Sequence, residues 1–182
     1  MMILSIDVGR DNLALCCLEA GEDPLGLRDV VKQWVVTGAQ PTCRGVTDAM
    51  AGVGASAWRG DVEVVIERQP GTNTQMVRLQ CYLEMYFAAR GCAVTVFDPK
   101  RKLAFAATTP FWPTTTPDDD AGEVPAAKPA TYHARKKLAV QSATRFLDRV
   151  PQAPEVRATF ESSRKKDDLA DCLLQAMAYA HR

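Results

Sequence analysis

The chain has 182 residues, no net formal charge, 47% hydrophobic residues and 24% charged ones. That is one domain's worth of sequence, apolar enough to bury a core, and no stretch approaches the ~20 apolar residues of a membrane-spanning helix. The N-terminus MMILSIDVGR lacks the basic start and long apolar run of a secretion signal, so the expected setting is intracellular and reducing. The six cysteines form no CxxC pair and sit mostly in apolar runs, which fits small core residues better than zinc ligands or a disulfide framework.

Taken in chain order, residues 3–8 (ILSIDV) are β-rich and end at Gly9. Residues 12–19 (NLALCCLE) make a second strand after a short turn, and 30–36 (VVKQWVV) a third. Three such strands imply an antiparallel meander. Residues 45–58 are Ala/Gly-rich and read as a helix, and 62–67 (VEVVIE) as a buried strand. Residues 73–89 form a helix with Asn73 or Thr74 near its N-cap and Gly91 just past its end. Residues 92–98 (CAVTVFD) are a strand stopped by Pro99. Residues 108–130 are rich in Pro, Thr and Asp and read as a long, flexible insertion within the one domain spanning 1–182. Helical patterning returns over 132–149 and 167–181. A meander followed by βαβ crossovers gives an α/β architecture, a mixed sheet with helices on its faces.

Asp7 lies at the end of the first strand, where an acid is costly to bury unless it is paired or binds a metal. Glu67 ends VEVVIE on the face opposite Val64 and Ile66, before a Pro-Gly turn. Asp168 and Asp171 are three apart and share one helix face. Each has a bland explanation alone: turn chemistry for Asp7, a nearby base for Glu67, the helix dipole for Asp168 and its neighbour Asp167. Together they make a set of oxygen ligands that would repel one another without a cation. With no His or Cys nearby, the donor set favours Mg²⁺, with Mn²⁺ as a substitute. Two such ions about 4 Å apart can activate water and stabilise the leaving oxygen of a phosphodiester.

These residues resemble a known family. SIDVGRDNLAL (5–15), VVIERQ (64–69) and KKDDLADCLLQA (165–176) resemble, in order, the three acidic motifs of RuvC-like Holliday junction resolvases, and YHARKKLAVQ (132–141) is similar to the basic helix of their poxvirus branch. The resemblance covers nearly all of the chain outside 108–130. It implies an RNase H-like fold with a five-stranded sheet ordered 3-2-1-4-5. It also implies a Mg²⁺-dependent endonuclease that makes paired symmetric incisions in four-way DNA junctions and leaves 5′-phosphate ends. Asp7, Glu67, Asp168 and Asp171 become the metal ligands and catalytic acids, with Asp167 as an alternative that helix geometry leaves open. Asn12 matches the family's Asn, and a structural role suits it best.

Candidate phosphate contacts are Lys100, Arg101, Lys102, Lys136, Lys137, Lys165 and Lys166, with Gln69 and Asn73 near the cut site. The helix 73–89 carries a core stripe of Met76, Leu79, Leu83 and Phe87, and a second apolar stripe of Tyr82, Met85 and Ala89. An all-round apolar helix is deeply buried or at an interface, and the resemblance implies a homodimer formed through it. The expected partners are thus branched DNA and a second copy of the chain, with neither a membrane nor a small-molecule cofactor. The alternatives are another RNase H-like nuclease acting on flaps, replication forks or RNA–DNA hybrids, and a DNA-binding subunit with a decayed site. Presence of all four acids argues against the last.

Overall fold

The computed structural model describes residues 1–23, 26–106 and 131–182. The segment 108–130, expected to be an insertion, lies outside the described residues. Five strands, β1 (Met2–Asp7), β2 (Leu13–Glu19), β3 (Val30–Thr37), β4 (Val62–Glu67) and β5 (Ala93–Phe97), form one sheet in the order β3-β2-β1-β4-β5. β1, β2 and β3 pair antiparallel, as the meander requires, and β4 and β5 join parallel to β1. The α/β architecture and strand order are those expected from the sequence.

The helices are α1 (Cys43–Gly52), α2 (Thr74–Ala88), α3 (Pro99–Ala106), α4 (Tyr132–Arg149), α5 (Pro154–Ser162) and α6 (Lys166–Ala180). The expected helix over 45–58 is shorter: Gly54 takes φ 74°, and a single 3₁₀ turn, Ala55–Ala57, follows. Asn73 caps α2 by accepting a hydrogen bond from the Met76 amide, and Gly91 at φ 78° lies just past its end. Two helices, α3 and α5, were not expected. Each starts on a proline in its first turn, Pro99 and Pro154, where the missing N–H is harmless. Asp98 also caps α3, its side chain accepting from the Lys100 amide at 2.9 Å. Pro99 therefore opens a helix rather than merely closing a strand.

The sheet buries both faces. Leu4, Ile6, Leu15, Val64 and Ile66 pack with α1 and α2 on one side. Ile3, Cys16, Val65 and Phe97 pack with α4, α5 and α6 on the other. Side chains alternate along a strand, so Asp7 and Glu67 share the face of Ile3 and Val65, the face that α6 covers. The β1/β4 register pairs Ile6 with Ile66, and one step further sets Asp7 beside Glu67. α6 is buried continuously from Cys172 to Tyr179, because sheet, α3, α4 and α5 all pack against it.

Trp34 on β3 fastens the start of α6. Its indole Nε1 donates to the Leu169 carbonyl at 2.9 Å, and its ring stacks on Phe160 of α5 at 4.9 Å. Trp34→Phe removes the donor and trims the stack, and is expected to lower stability by about 1–3 kcal/mol in urea denaturation. The same loss from a variant at an exposed position, such as Thr47→Ala, would show that this contact is nothing special.

Candidate active site

A cleft of about 620 Å³ opens where β1 and β4 end and α6 begins. Asp7, Glu67, Asp168 and Asp171 all line it, as do Val8, Gly9 and Asn12 of the turn after β1. That turn is tight: a Cβ on Gly9 would lie 2.7 Å from the Asn12 carbonyl oxygen. A side chain there would push the turn off the end of β1. α6 sets the other two acids, and Gln175, one turn beyond Asp171, ties α6 to the strands. Its side-chain amide donates to the main-chain carbonyls of Ile6 (3.2 Å) and Val65 (3.1 Å), beside Asp7 and just ahead of Glu67.

The cations differ sharply among themselves. Lys102, read from the sequence as one of three surface phosphate contacts, is turned inward and only 7% exposed. Its ammonium lies 3.2 Å from Asp171 and 3.4 Å from Glu67. Lys100 and Arg101 are exposed, and Lys100 lines the cleft. The triplet is not one patch because α3 turns its third member toward α6. Lys136 pairs with Asp167 and reaches Asp168 at 3.4 Å, and Lys165 lies 3.9 Å from Asp168. Asp168, not Asp167, lines the acid cleft, whereas Asp167 faces an adjoining hollow with His133 and Lys137.

Lys166 begins α6 and lines neither cavity. Asn73 uses its side chain as a helix cap. The Gln69 side chain donates to the Glu67 carbonyl, and its amide donates to the buried side chain of Gln80. Neither Gln69 nor Asn73 lines the cleft. Tyr132 and Arg135, which the sequence-based selection did not include, do line it. With Lys136 they occupy one face of α4 at i, i+3 and i+4, a spacing that the helical pattern already contained. Tyr132 is 66% exposed, and Lys136 sits over its ring at 5.2 Å. Of the second stripe on α2, Met85 is 69% exposed, Ala89 is exposed and Tyr82 is half-buried.

Charge in the cleft is held unequally. Burial, reinforced by the hydrogen bond and negative charge of Glu67, pushes the Asp7 carboxyl well above the usual carboxylate range. Burial also pushes Glu67 up, but the hydrogen bond from Asp7 and the Lys102 charge outweigh it and leave Glu67 lowered. Burial raises Asp171 and Asp168 as well, the latter also through Asp167. Burial disfavours the Lys102 ammonium, yet Asp171, Glu67 and Asp7 more than offset it and raise its pKa. Among the described residues, no three acidic, His or Cys side chains are gathered tightly enough to grip an ion as they stand. The donor set nonetheless fits a hard divalent cation, since it is carboxylate alone.

The fold is the RNase H-like one, in the form taken by RuvC-type resolvases. Solved structures that share it include the Holliday junction resolvase of fowlpox virus bound to junction DNA (TM-score 0.65, 14% identity, covering 99% of this chain and 97% of that one). The yeast mitochondrial Holliday junction resolvase Ydc2 matches with TM-score 0.63 and 16% identity, over 98% of this chain and 78% of that one. RuvC of Thermus thermophilus matches with TM-score 0.58 and 17% identity, over 100% and 94%. No protein-family model and no curated protein matches the sequence.

The raised Asp7 carboxyl has a consequence for stability. At about pH 2–3, well below the ordinary aspartate range, it is protonated in folded and unfolded chains alike, so it contributes no pH dependence there. As pH rises, the unfolded chain ionises first, and stability falls until the folded carboxyl ionises too. Asp7→Asn should therefore raise the Tm of the metal-free protein at pH 7 by roughly 2–4 °C, the shift that ~1 kcal/mol produces in a chain this size. The gain should fall away as pH drops through about 4 and be gone near pH 2.5, and calorimetry at pH 7 and pH 2.5 checks it.

Proposed function

We propose that the protein is a Holliday junction resolvase, a Mg²⁺-dependent endonuclease that makes paired symmetric incisions in four-way DNA junctions and leaves 5′-phosphate ends. The observation that carries this reading is the set of four carboxylates lining one cleft, on a fold shared with solved resolvases. Asp7, Glu67, Asp168 and Asp171 would hold the metal, as the sequence resemblance also implies. When bound, Mg²⁺, as one ion or two, supplies an activated water and stabilises the leaving oxygen.

The chain's own residues do the rest. Lys165, Arg135 and Lys136 line the cleft beside Asp168, and Lys100 lines it on the α3 side. Cations on opposite sides of the acids suit a phosphodiester backbone laid across them. Lys136 is fixed by Asp167 and Asp168, which orients its charge before DNA arrives. Gln175 holds the two acid-bearing strands from behind, so the spacing of Asp7 and Glu67 does not depend on substrate.

A homodimer through α2 completes the proposal, because two symmetric cuts need two active sites. It is supported by the exposed apolar side chain of Met85 beside half-buried Tyr82 on the outer face of α2. No helix among the described residues is long and apolar enough to cross a membrane, and all six cysteines are free.

Cleavage of a synthetic four-way junction in Mg²⁺, beside a flap, a replication fork, an RNA–DNA hybrid and plain duplex, tests the reading. The junction should be cut symmetrically to ligatable products. Asp7→Asn should reduce the rate by at least about 100-fold, since a misplaced metal forfeits several kcal/mol of transition-state stabilisation. Preferential cutting of the hybrid would instead assign the fold to RNase H-type work, and equal cutting of every substrate would remove the resolvase reading. For the dimer, light scattering should record two copies per particle at micromolar concentration and one copy in Met85→Glu; a wild-type monomer defeats the proposed interface.

A further inference from the structure

Lys102 has an arrangement that DNA binding does not explain. Its side chain is 8% exposed and its ammonium sits between Glu67 and Asp171 at 3.4 and 3.2 Å, with Asp7 next to Glu67. Phosphate contacts are made by side chains that reach outward, and this one reaches inward. A divalent ion held by Glu67 and Asp171 would compete with Lys102 for the same two carboxylates. An ammonium in contact with both would also repel it strongly at this range, in surroundings less polar than water. The absence of a tightly gathered ligand group among the described residues fits the same picture, because the acids are arranged around a nitrogen.

We propose that Lys102 is a resident counter-ion of the acid cluster, and that a divalent cation enters the cleft only by displacing its ammonium from Glu67 and Asp171. The inference rests on the metal-site reading given above. It makes Lys102 a positioning residue that keeps the metal-free protein folded while weakening its hold on metal. Because Lys102 belongs to α3, which packs on α6, metal entry and the seating of α3 become one equilibrium.

The test is Mn²⁺ binding to the full chain without DNA, by calorimetry, together with thermal unfolding in EDTA and in saturating Mn²⁺. Lys102→Met keeps the aliphatic stem and removes the charge. It should bind Mn²⁺ at least about tenfold more tightly than wild type. It should also melt at lower temperature in EDTA and gain more from Mn²⁺ than wild type does. Lys102→Arg keeps the charge and should stay within about threefold of wild-type affinity. Should Lys102→Met unfold in EDTA, refolding on Mn²⁺ addition would support the exchange, and Lys102→Gln would supply the affinity. Failure of both variants to fold even in saturating Mn²⁺ overturns the proposal, since the ion would then not replace the ammonium. Unchanged or weaker binding by Lys102→Met, with wild-type binding intact, overturns it while leaving the metal site standing. No Mn²⁺ binding by wild type or Lys102→Met removes the metal reading as well.

Discussion

Carboxylates crowded at the ends of adjacent parallel strands repel each other, and burial makes each of them harder to ionise. The structure around the cleft is organised by that constraint. Asp7 and Glu67 are neighbours because the β1/β4 register leaves no choice. Asp171 joins them because α6 lies over the same face. Cations answer that repulsion, buried Lys102 against Glu67 and Asp171, and half-buried Lys136 against Asp167 and Asp168. Breaking one partner of such a buried group leaves the other uncompensated, which is why the acids and lysines have to be understood as one unit.

α6 is the element through which the rest of the fold acts on the site. A surface helix would show one apolar stripe, but α6 is buried on nearly every side below its first turn. Trp34 accordingly reaches across from β3 to the carbonyl of Leu169, the residue after Asp168. Gln175 spends its amide on two strand carbonyls rather than on water. Phe160 joins through its stack on Trp34. The acids on α6 are thus held by contacts to β1, β3, β4 and α5, none of which carries charge to the cleft by itself except through Asp7 and Glu67.

The sheet was legible from the sequence because period-two alternation and turn residues are local signals, and the strand order followed from the resemblance of the acidic motifs. Asp7 and Glu67 were legible because an acid at the end of an apolar strand contradicts its surroundings, and Asp168 and Asp171 because their spacing of three puts both on one helix face. Less was legible where a residue has two lawful roles. Pro99 ends a strand and also starts a helix, and only Asp98 as its cap tips the balance. Pro154 likewise starts a helix, with buried Val156 and Phe160 at i, i+4 as the faint helical sign. Lys102 looked like its neighbours in a basic triplet. Its inward turn depends on where α3 docks, and no local pattern records that. Asn73 was likewise available for DNA or for capping, and the helix took it.

The alternation that puts both strand acids on the α6 face also governs what changes this chain can survive. Strand side chains reverse face with every one-residue step. A single inserted or deleted residue within β1, ahead of Asp7, would turn that carboxylate toward α1 and α2 and set an apolar side chain in the cleft, although each individual residue type would be preserved. β1 and β4 are therefore closed to length variation in a way that their core positions are not closed to substitution. Drift in this fold is channelled into side-chain exchange within the strands, and into length change only in the connections outside them.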